Sequence, residues 1–288
     1  MDYTKRKESN MPTGPGRLAV TGLPGSGKTT LVYQLAEKFK LTWFDLDNSG
    51  EILDKIPEEY QKNVNYIRIP CSASNPMAAE TLLNLWKKRK GLICHMHGKF
   101  ECPICKKDPA VNEYVDFTKL DVTKDIVVID TGTELGNAFL MHLTKDKDVE
   151  YKCVMDDWGG LLKYTKFMKS EWKDSPFNLV VTFHVAETKF DNGSTKLTPS
   201  FGSSTMCQEI GGAFNTIVYC ETVNKKFKAD SNALWSNTVL TKSRGDFEIE
   251  KLAIPSLLPL FERAKEFSRL ENNEDINKAK EIIAKMKT

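Results

Sequence analysis

The sequence lacks any apolar run of about 18 residues, the minimum for a membrane-spanning helix, so no membrane span is expected. Residues 1–17 are polar and contain no apolar segment of the kind that a secretory signal requires. Net charge is also small, at +2 from 41 basic and 39 acidic residues, so composition does not indicate a nucleic-acid partner. A partner of that kind would have to bind a local basic patch. No internal repeat is visible.

Cysteine is too unevenly placed for a disulfide framework. The chain has 7 cysteines, an odd number, and three of them fall between residues 94 and 105. This pattern is typical of a reducing compartment and a metal site. We therefore expect a cytoplasmic protein.

Short apolar runs alternate with segments of helical periodicity along most of the chain. The length of 288 residues allows one large α/β domain with an appendage, or two small domains. Predicted strands are 17–21, 41–46, 64–69, 126–130, 179–183, 213–222 and 236–241, and predicted helices are 29–39, 77–90 and 158–172. This alternation predicts a mostly parallel central sheet flanked by helices.

The domain organisation expected from these patterns is simple. Residues 1–16 form a flexible N-terminal tail, 17–255 an α/β core, and 256–288 a C-terminal helical segment. Within the core, residues 91–112 form a small insertion, and 186–208 are expected to form a long loop because Gly, Ser, Thr and Pro are frequent there.

A complete phosphate-binding loop runs from Gly22 to Thr29, between a predicted strand and a predicted helix. Glycines at these positions let backbone N–H groups point at phosphates, and the helix begins with unpaired N–H groups. Lys28 would reach the β- and γ-phosphates, and the Thr29 hydroxyl would bind Mg²⁺. The predicted ATP-binding residues are Gly22, Pro24, Gly25, Ser26, Gly27, Lys28, Thr29 and Thr30.

A second magnesium ligand is predicted at Asp130, where the apolar strand 126–130 ends in an acid. Hydrolysis also needs a group that orients or deprotonates water. Asp45 and Asp47 at the end of the second strand, and Glu134, are the candidates. Alternation along a strand would place Asp45 and Asp47 on the same side, and the sequence does not choose among the three acids.

A zinc site is predicted within the insertion. Cys94 and His97 form a C-x-x-H pair, and Cys102 and Cys105 form a C-x-x-C pair. Four such ligands leave no open position, so the site would be structural, although His95 is an alternative ligand. Basic residues flank the site and could form a DNA-binding patch or a solvated helix end: Lys87, Lys88, Arg89, Lys90, Lys106 and Lys107.

Residues 17–250 resemble the RecA-like core family, and more closely the small phage ATPases that anneal single-stranded DNA. The resemblance rests on the phosphate-binding loop, the strand ending at Asp130, and four shorter motifs at 44–47, 156–159, 180–184 and 242–245. It implies a RecA-like fold, ATP hydrolysis and a single-stranded-DNA partner. It also implies assembly into a ring or filament, host cytoplasm as the location, and a single-strand-binding protein as an accessory partner.

The resemblance also implies roles for individual residues. Asp47 stands where RecA relatives carry a catalytic Glu, and His184 where they carry a polar residue that senses the γ-phosphate. Lys242 and Arg244 would reach the nucleotide of a neighbouring subunit. The family's DNA-binding loops would fall near 142–156 and 186–208, the second with Lys189, Phe190, Lys196, Phe201, Ser203, Ser204 and Thr205.

The resemblance implies an ATP-dependent single-stranded-DNA-binding recombinase or annealing protein, and the motifs add Mg²⁺ and Zn²⁺ as its ions. ATP binding would drive oligomerisation on DNA, and hydrolysis would drive release. Two alternatives are a nucleotide kinase with a zinc-containing lid and a nucleotide-gated DNA-binding module without turnover.

Overall fold

A computed structural model describes residues 15–148, 150–232, 238–243 and 248–262. The strands, numbered along the chain, are β1 (Arg17–Gly22), β2 (Lys40–Asp45), β3 (Val64–Arg68), β4 (Lys90–Cys94), β5 (Asn112–Asp116), β6 (Asp125–Asp130), β7 (Asn178–Phe183), β8 (Val185–Lys189), β9 (Thr195–Pro199), β10 (Thr216–Val223) and β11 (Lys226–Asp230). The α-helices are α1 (Lys28–Tyr33), α2 (Glu58–Gln61), α3 (Met77–Lys88), α4 (Gly132–Thr144), α5 (Met155–Lys173) and α6 (Ser204–Glu209).

Seven strands form the central sheet in the order β11-β10-β1-β7-β6-β2-β3. All neighbouring pairs are parallel except β10 with β11. Because the carboxyl ends of parallel strands meet at one edge, the ends of β1, β2, β6 and β7 lie together. The predicted α/β fold with a mostly parallel sheet and flanking helices is confirmed.

Alternate residues of each central strand supply two separate cores, one on each face of the sheet. In β1, Ala19 belongs to the core beneath α3, α4 and α5, whereas Leu18 and Val20 belong to the core beneath α1. Both faces of the strand are therefore buried, which explains why its sequence is a continuous apolar run. Each Val or Leu buried in this way contributes roughly 1.5–3 kcal/mol to folding.

Several elements differ from the sequence-based predictions. The helix after the phosphate loop is α-helical only over Lys28–Tyr33 and continues as a 3₁₀-helix over Gln34–Glu37. The long loop predicted over 186–208 is wrong, because this segment contains the β8–β9 hairpin and α6. Its alternating Thr and Lys residues pair across the hairpin. β4, β5 and β11 were not predicted.

The remaining predicted elements lie partly outside the described residues. Of the predicted strand 236–241, residues 236 and 237 are not described. Val239 bridges Leu197, and Lys242, just after the predicted strand, bridges Ile217. The C-terminal segment 256–288 is described only to residue 262, where a helix begins at 258. Within the described ranges, no helix combines the length and the apolar character that crossing a membrane requires.

Candidate nucleotide and metal sites

The phosphate-binding loop joins the end of β1 to the start of α1. A Cβ atom on Gly22 would lie 2.3 Å from the Cys220 carbonyl oxygen and 2.4 Å from Ser26 Oγ, so a side chain does not fit there. Gly27 has φ +85°, and a Cβ on it would meet the Phe227 ring at 2.6 Å. Since only glycine tolerates both constraints, the loop backbone can approach a ligand closely.

Lys28 points into this loop. Its Nζ donates to the carbonyl oxygens of Gly22 (3.1 Å) and Leu23 (2.9 Å), and its side chain is buried. Burial lowers the pKa of the ammonium, and the charge of Asp130 opposes that shift. A cation held among oxygen acceptors at a helix start fits a phosphate group. The buried Ser26 Oγ, which has no protein partner in the described residues, is a further polar atom in the loop.

Asp130 lies at the carboxyl end of β6, facing the phosphate-binding loop. Its Oδ2 accepts a hydrogen bond from Thr29 Oγ1 (3.1 Å), and its Oδ1 accepts one from Thr182 Oγ1. A hydroxyl and a carboxylate in contact are the hard oxygen ligands that Mg²⁺ prefers, so Thr29 and Asp130 fit the predicted ion.

Burial raises the pKa of Asp130 to about 6, with further raising by the charges of Asp45 and Asp47 and opposing hydrogen bonds from Thr182 and Thr29. Its ordinary pKa is 3.8. Between these values the folded protein holds a proton that the unfolded chain has lost. The stability that Asp130 contributes is therefore complete below pH 3.8 and lost as the pH rises through about 6.

We expect Asp130→Asn to stabilise the protein at pH 8 without nucleotide or Mg²⁺, by on the order of 3 kcal/mol, because it removes a buried charge. This gain should shrink to near zero as the pH falls to 4. The stability gain is measured from urea unfolding midpoints of the variant and the wild type at several pH values. Asp125→Asn, at a partly buried acid, serves as the control. A gain that is independent of pH would contradict the titration of Asp130.

The two candidate acids after β2 differ in burial, although the charges of both act on Asp130. β2 ends at Asp45, and the chain then turns through Asn48, which has φ 56°. Asp45 is fully buried, and its carboxylate accepts hydrogen bonds from the backbone N–H groups of Asp47 and Ser49 and from the Tyr66 hydroxyl. Asp45 therefore holds the turn, while Asp47 is exposed.

Two adjacent cavities meet at Asp47. The nucleotide cavity, of about 310 Å³, is lined by the phosphate-binding loop and by Asp47, Lys55, Thr131 and His184. The side cavity, of about 300 Å³, is lined by residues that include Asp47, Arg68, Ile69, Pro70, Cys71 and Glu134. Asp47 lines both cavities, whereas Glu134 lines the side cavity and not the nucleotide cavity. Burial and the charge of Asp47 raise the pKa of Glu134.

His184 follows β7, the strand that lies between the β1 strand of the phosphate-binding loop and β6. Its Nδ1 lies 3.5 Å from Lys28 Nζ. Burial and the positive charge of Lys28 lower its pKa, which favours the neutral imidazole. His184 thus lies beside Lys28 in the nucleotide cavity, and its contact with the γ-phosphate stays a prediction.

Of the two predicted intersubunit residues, only Lys242 falls within the described ranges. Lys242 pairs with Ile217 near the amino end of β10, and its Nζ donates to the carbonyl oxygens of Phe214 (2.7 Å) and Gly211 (3.3 Å). Its ammonium is thus engaged within its own chain, away from the loop that follows β1. Arg244 lies outside the described residues.

The four predicted zinc ligands form one cluster between β4 and β5. Their ligand atoms lie within 4.8 Å of one another. His97 Nδ1 is 3.5 Å from Cys94 Sγ, 3.7 Å from Cys102 Sγ and 3.4 Å from Cys105 Sγ. Tetrahedral zinc would place nitrogen and sulfur ligands about 3.6 Å apart, so the cluster fits this ion. His95 lies outside it, with Nε2 3.9 Å from Glu113.

The basic residues beside this cluster mostly have partners within the chain. Lys88 lies over the Phe100 ring, Lys87 over the Phe167 ring, and Arg89 pairs with Glu171. Lys106 pairs with Glu101 at 3.1 Å. These contacts show that the basic residues help to pack α3 and the insertion, and the DNA-binding patch stays a prediction.

Three site residues were missed in the sequence. Thr182 holds Asp130 from the middle of an apolar strand, Ser49 contacts both Asp45 and Asp130, and Lys55 lines the nucleotide cavity from a 3₁₀-helix. Thr182 could have been found as the one hydroxyl in Leu179–Phe183. Lys55 carries no local signal, because it reaches the cavity only through the fold.

Comparison with known proteins places this geometry in a family. Residues 15–245 match the family model described as AAA domain, which is more than half of the chain. A solved ATPase from the type III secretion system of pathogenic bacteria is similar over 71% of this chain and 51% of that one, with 10% identity and a TM-score of 0.38. The chain thus spans about half the length of that structure. Comparison with curated proteins gives no match. With its phosphate-binding loop, buried Asp130 and parallel sheet, the chain belongs to the AAA domain family of P-loop ATPases.

Proposed function

We propose that this ATPase binds single-stranded DNA in a nucleotide-dependent way, with ATP favouring assembly on the strand and hydrolysis favouring release. The family match supports ATP binding and hydrolysis and does not bear on the DNA partner. The observation that carries the proposal is the contact between Lys28 and His184, because His184 begins the connection to the β8–β9 hairpin.

Hydrolysis in this proposal uses Asp47 to orient or deprotonate the attacking water. A base must lie within reach of a water beside the γ-phosphate. Asp47 lines the nucleotide cavity together with Lys28, and its backbone N–H is held by the Asp45 carboxylate. Glu134, which lines only the neighbouring side cavity, would assist by its charge and not by direct contact.

Nucleotide state would reach the hairpin through a short set of hydrogen bonds. The His184 backbone N–H donates to Thr133 Oγ1 (2.9 Å), and the Thr133 hydroxyl donates to the Ser200 carbonyl oxygen (2.9 Å). The Ser200 N–H donates in turn to the His184 carbonyl oxygen (2.8 Å). Because these bonds tie both ends of the hairpin to α4, a shift of His184 toward a bound phosphate would move the hairpin.

The hairpin offers cations for a phosphate backbone, although fewer aromatic contacts than the sequence implied. Lys189 and Lys196 lie on β8 and β9, and Phe190, partly exposed, follows β8. Phe201 is fully buried against Phe139 and Phe183 and is not available for stacking on bases. Ser203 caps α6 by accepting from the Met206 N–H.

DNA binding should stimulate ATP hydrolysis, and replacing both hairpin lysines should weaken that binding. For single strands each lysine–phosphate contact contributes about 0.7 to the slope of log K against log salt. We therefore expect Lys189→Ala with Lys196→Ala to lower the slope by about 1.4, while Lys226→Ala with Lys228→Ala leaves it unchanged. Fluorescence anisotropy of a labelled oligonucleotide with a slowly hydrolysed ATP analogue measures both. Absence of DNA binding with and without nucleotide would reject the proposal.

The position of the metal cluster argues against a nucleotide kinase with a zinc lid. None of Cys94, His97, Cys102 and Cys105 lines the nucleotide cavity, as lid residues would on closing.

The second alternative is a nucleotide-gated DNA-binding module without turnover. It would be supported if DNA binding depends on ATP but hydrolysis is not detected. Ring or filament assembly belongs to the proposal, with Arg244 acting between subunits, because the Lys242 ammonium is held by Gly211 and Phe214 of its own chain. Electron microscopy with single-stranded DNA tests this assembly.

A further inference from the structure

We propose that the zinc knuckle, residues 94–105, positions the wall of the side cavity beside Asp47 and Glu134, so that metal binding supports ATP turnover. This inference rests on the proposed role of Asp47 and is independent of DNA. The insertion would then act within the ATPase core and not by binding an external partner.

The knuckle has little regular structure of its own. Residues 95–108 join β4 to a 3₁₀-helix, and Cys94, Cys102 and Cys105 are buried together with Val111 beside them. A segment of this size relies on the metal for its folding energy. The positions of its outward contacts therefore depend on the ion.

The knuckle contacts the core directly after the ligand His97. Gly98 has φ +61°, and a Cβ on it would lie 2.3 Å from Pro70 Cδ and 3.0 Å from Ile69 Cα. Its carbonyl oxygen accepts from the buried Thr81 hydroxyl (2.7 Å), which also accepts from the Phe100 N–H (3.2 Å). The segment after β3 is thus packed against the knuckle without space between them.

That same segment forms the wall of the side cavity. Ile69, Pro70 and Cys71 line it together with Asp47 and Glu134. The Ile69 N–H donates to the Asp45 carbonyl oxygen (2.9 Å), and Cys71 Sγ donates to the Glu134 carbonyl oxygen (3.2 Å). Movement of the wall would therefore be transmitted to the turn that carries Asp47 and to the first turn of α4.

Glycine substitutions separate this contact from metal binding. Gly98→Ala keeps all four ligands but forces a methyl group against Pro70, whereas Gly193→Ala adds a methyl at another positive φ (+80°) where nothing lies within 4 Å. We expect Gly98→Ala to retain one zinc per chain, to lower kcat about tenfold, and to leave KM for ATP within about twofold. Gly193→Ala should match the wild type. Faster hydrogen exchange at residues 69–72, in Gly98→Ala only, is the second readout.

Thr81 provides a milder test should Gly98→Ala lose its metal. Thr81→Val removes the hydrogen bonds to Gly98 and Phe100 at constant shape, and Thr81→Ser keeps the hydroxyl. We expect Thr81→Val to speed hydrogen exchange at residues 69–72 and to lower kcat, and Thr81→Ser to behave like the wild type. Cys102→Ser, assayed for zinc by mass spectrometry, should lose the metal and show the same changes.

Normal exchange at 69–72 and normal kcat in zinc-loaded Gly98→Ala and Thr81→Val would overturn the inference. Purified wild-type protein without zinc would overturn it as well. If Asp47→Asn leaves hydrolysis intact, the proposed base is wrong, yet the exchange measurement still decides whether the knuckle holds the wall. The two failures are therefore distinguishable.

Discussion

Replacing Lys28 by Met should lower ATP hydrolysis by about 10²–10³-fold, the usual cost of removing one charged donor that stabilises a transition state. Lys28 Nζ donates to the carbonyl oxygens of Gly22 and Leu23 in a buried position, where it would also donate to phosphate oxygens. Methionine fills a similar volume, so folding should persist. Since removal of a buried amine with a lowered pKa eliminates a desolvation cost, thermal stability should not fall.

Hydrolysis and nucleotide binding, measured by phosphate release and calorimetry with Mg²⁺, check this result. Lys40→Met is the matched control, because Lys40 is exposed at the start of β2, at the opposite end of the strand from Asp45. Hydrolysis that survives in Lys28→Met and is lost in Lys40→Met would mean that the nucleotide binds elsewhere.

Replacing Asp47 by Asn should lower kcat by about 10²–10⁴-fold, the range for loss of a general base, with KM for ATP nearly unchanged. Asp47 lines the nucleotide cavity, and its side chain is exposed, so the substitution removes a charge without leaving a buried group unpaired. Single-turnover measurements of hydrolysis separate this step from binding and release.

Glu134→Gln provides the comparison for Asp47→Asn. Glu134 lines the side cavity but not the nucleotide cavity, and we expect its substitution to change kcat only several-fold. If Glu134→Gln abolishes hydrolysis and Asp47→Asn does not, the base is Glu134, and the side cavity is where water is activated. Asp45→Asn is less informative, because Asp45 is fully buried and supports the turn through three hydrogen-bonding neighbours.

Much of the nucleotide site was predictable because its signals are local. The phosphate-binding loop, its preceding strand and its following helix are contiguous, and glycine spacing alone constrains the backbone. Asp130 was recognisable because an apolar strand ends there. The candidate zinc ligands were recognisable by their spacing, whereas the preference for His97 over His95 came only from the tertiary structure, which groups His97 with the three cysteines.

The tertiary structure decided what depends on strand order and on where strands end. β7 lies between β1 and β6, and this arrangement places Thr182 on Asp130 and His184 beside Lys28. The difference in burial between Asp45 and Asp47 follows from the end of β2 at Asp45. Sequence periodicity predicts neither the strand order nor the end of β2, because both result from pairing between segments far apart in the chain.

The amino-acid sequence by itself determined the phosphate-binding loop, the buried parallel strands and the two Cys/His pairs of the candidate metal site, since each depends on neighbours within a few residues. Only the tertiary structure decided that Asp47 lines the nucleotide cavity, that Phe201 is buried, and that Gly98 packs on Ile69 and Pro70. The physical reason is distance along the chain: contacts between remote segments follow from packing of the two cores, which no local pattern encodes.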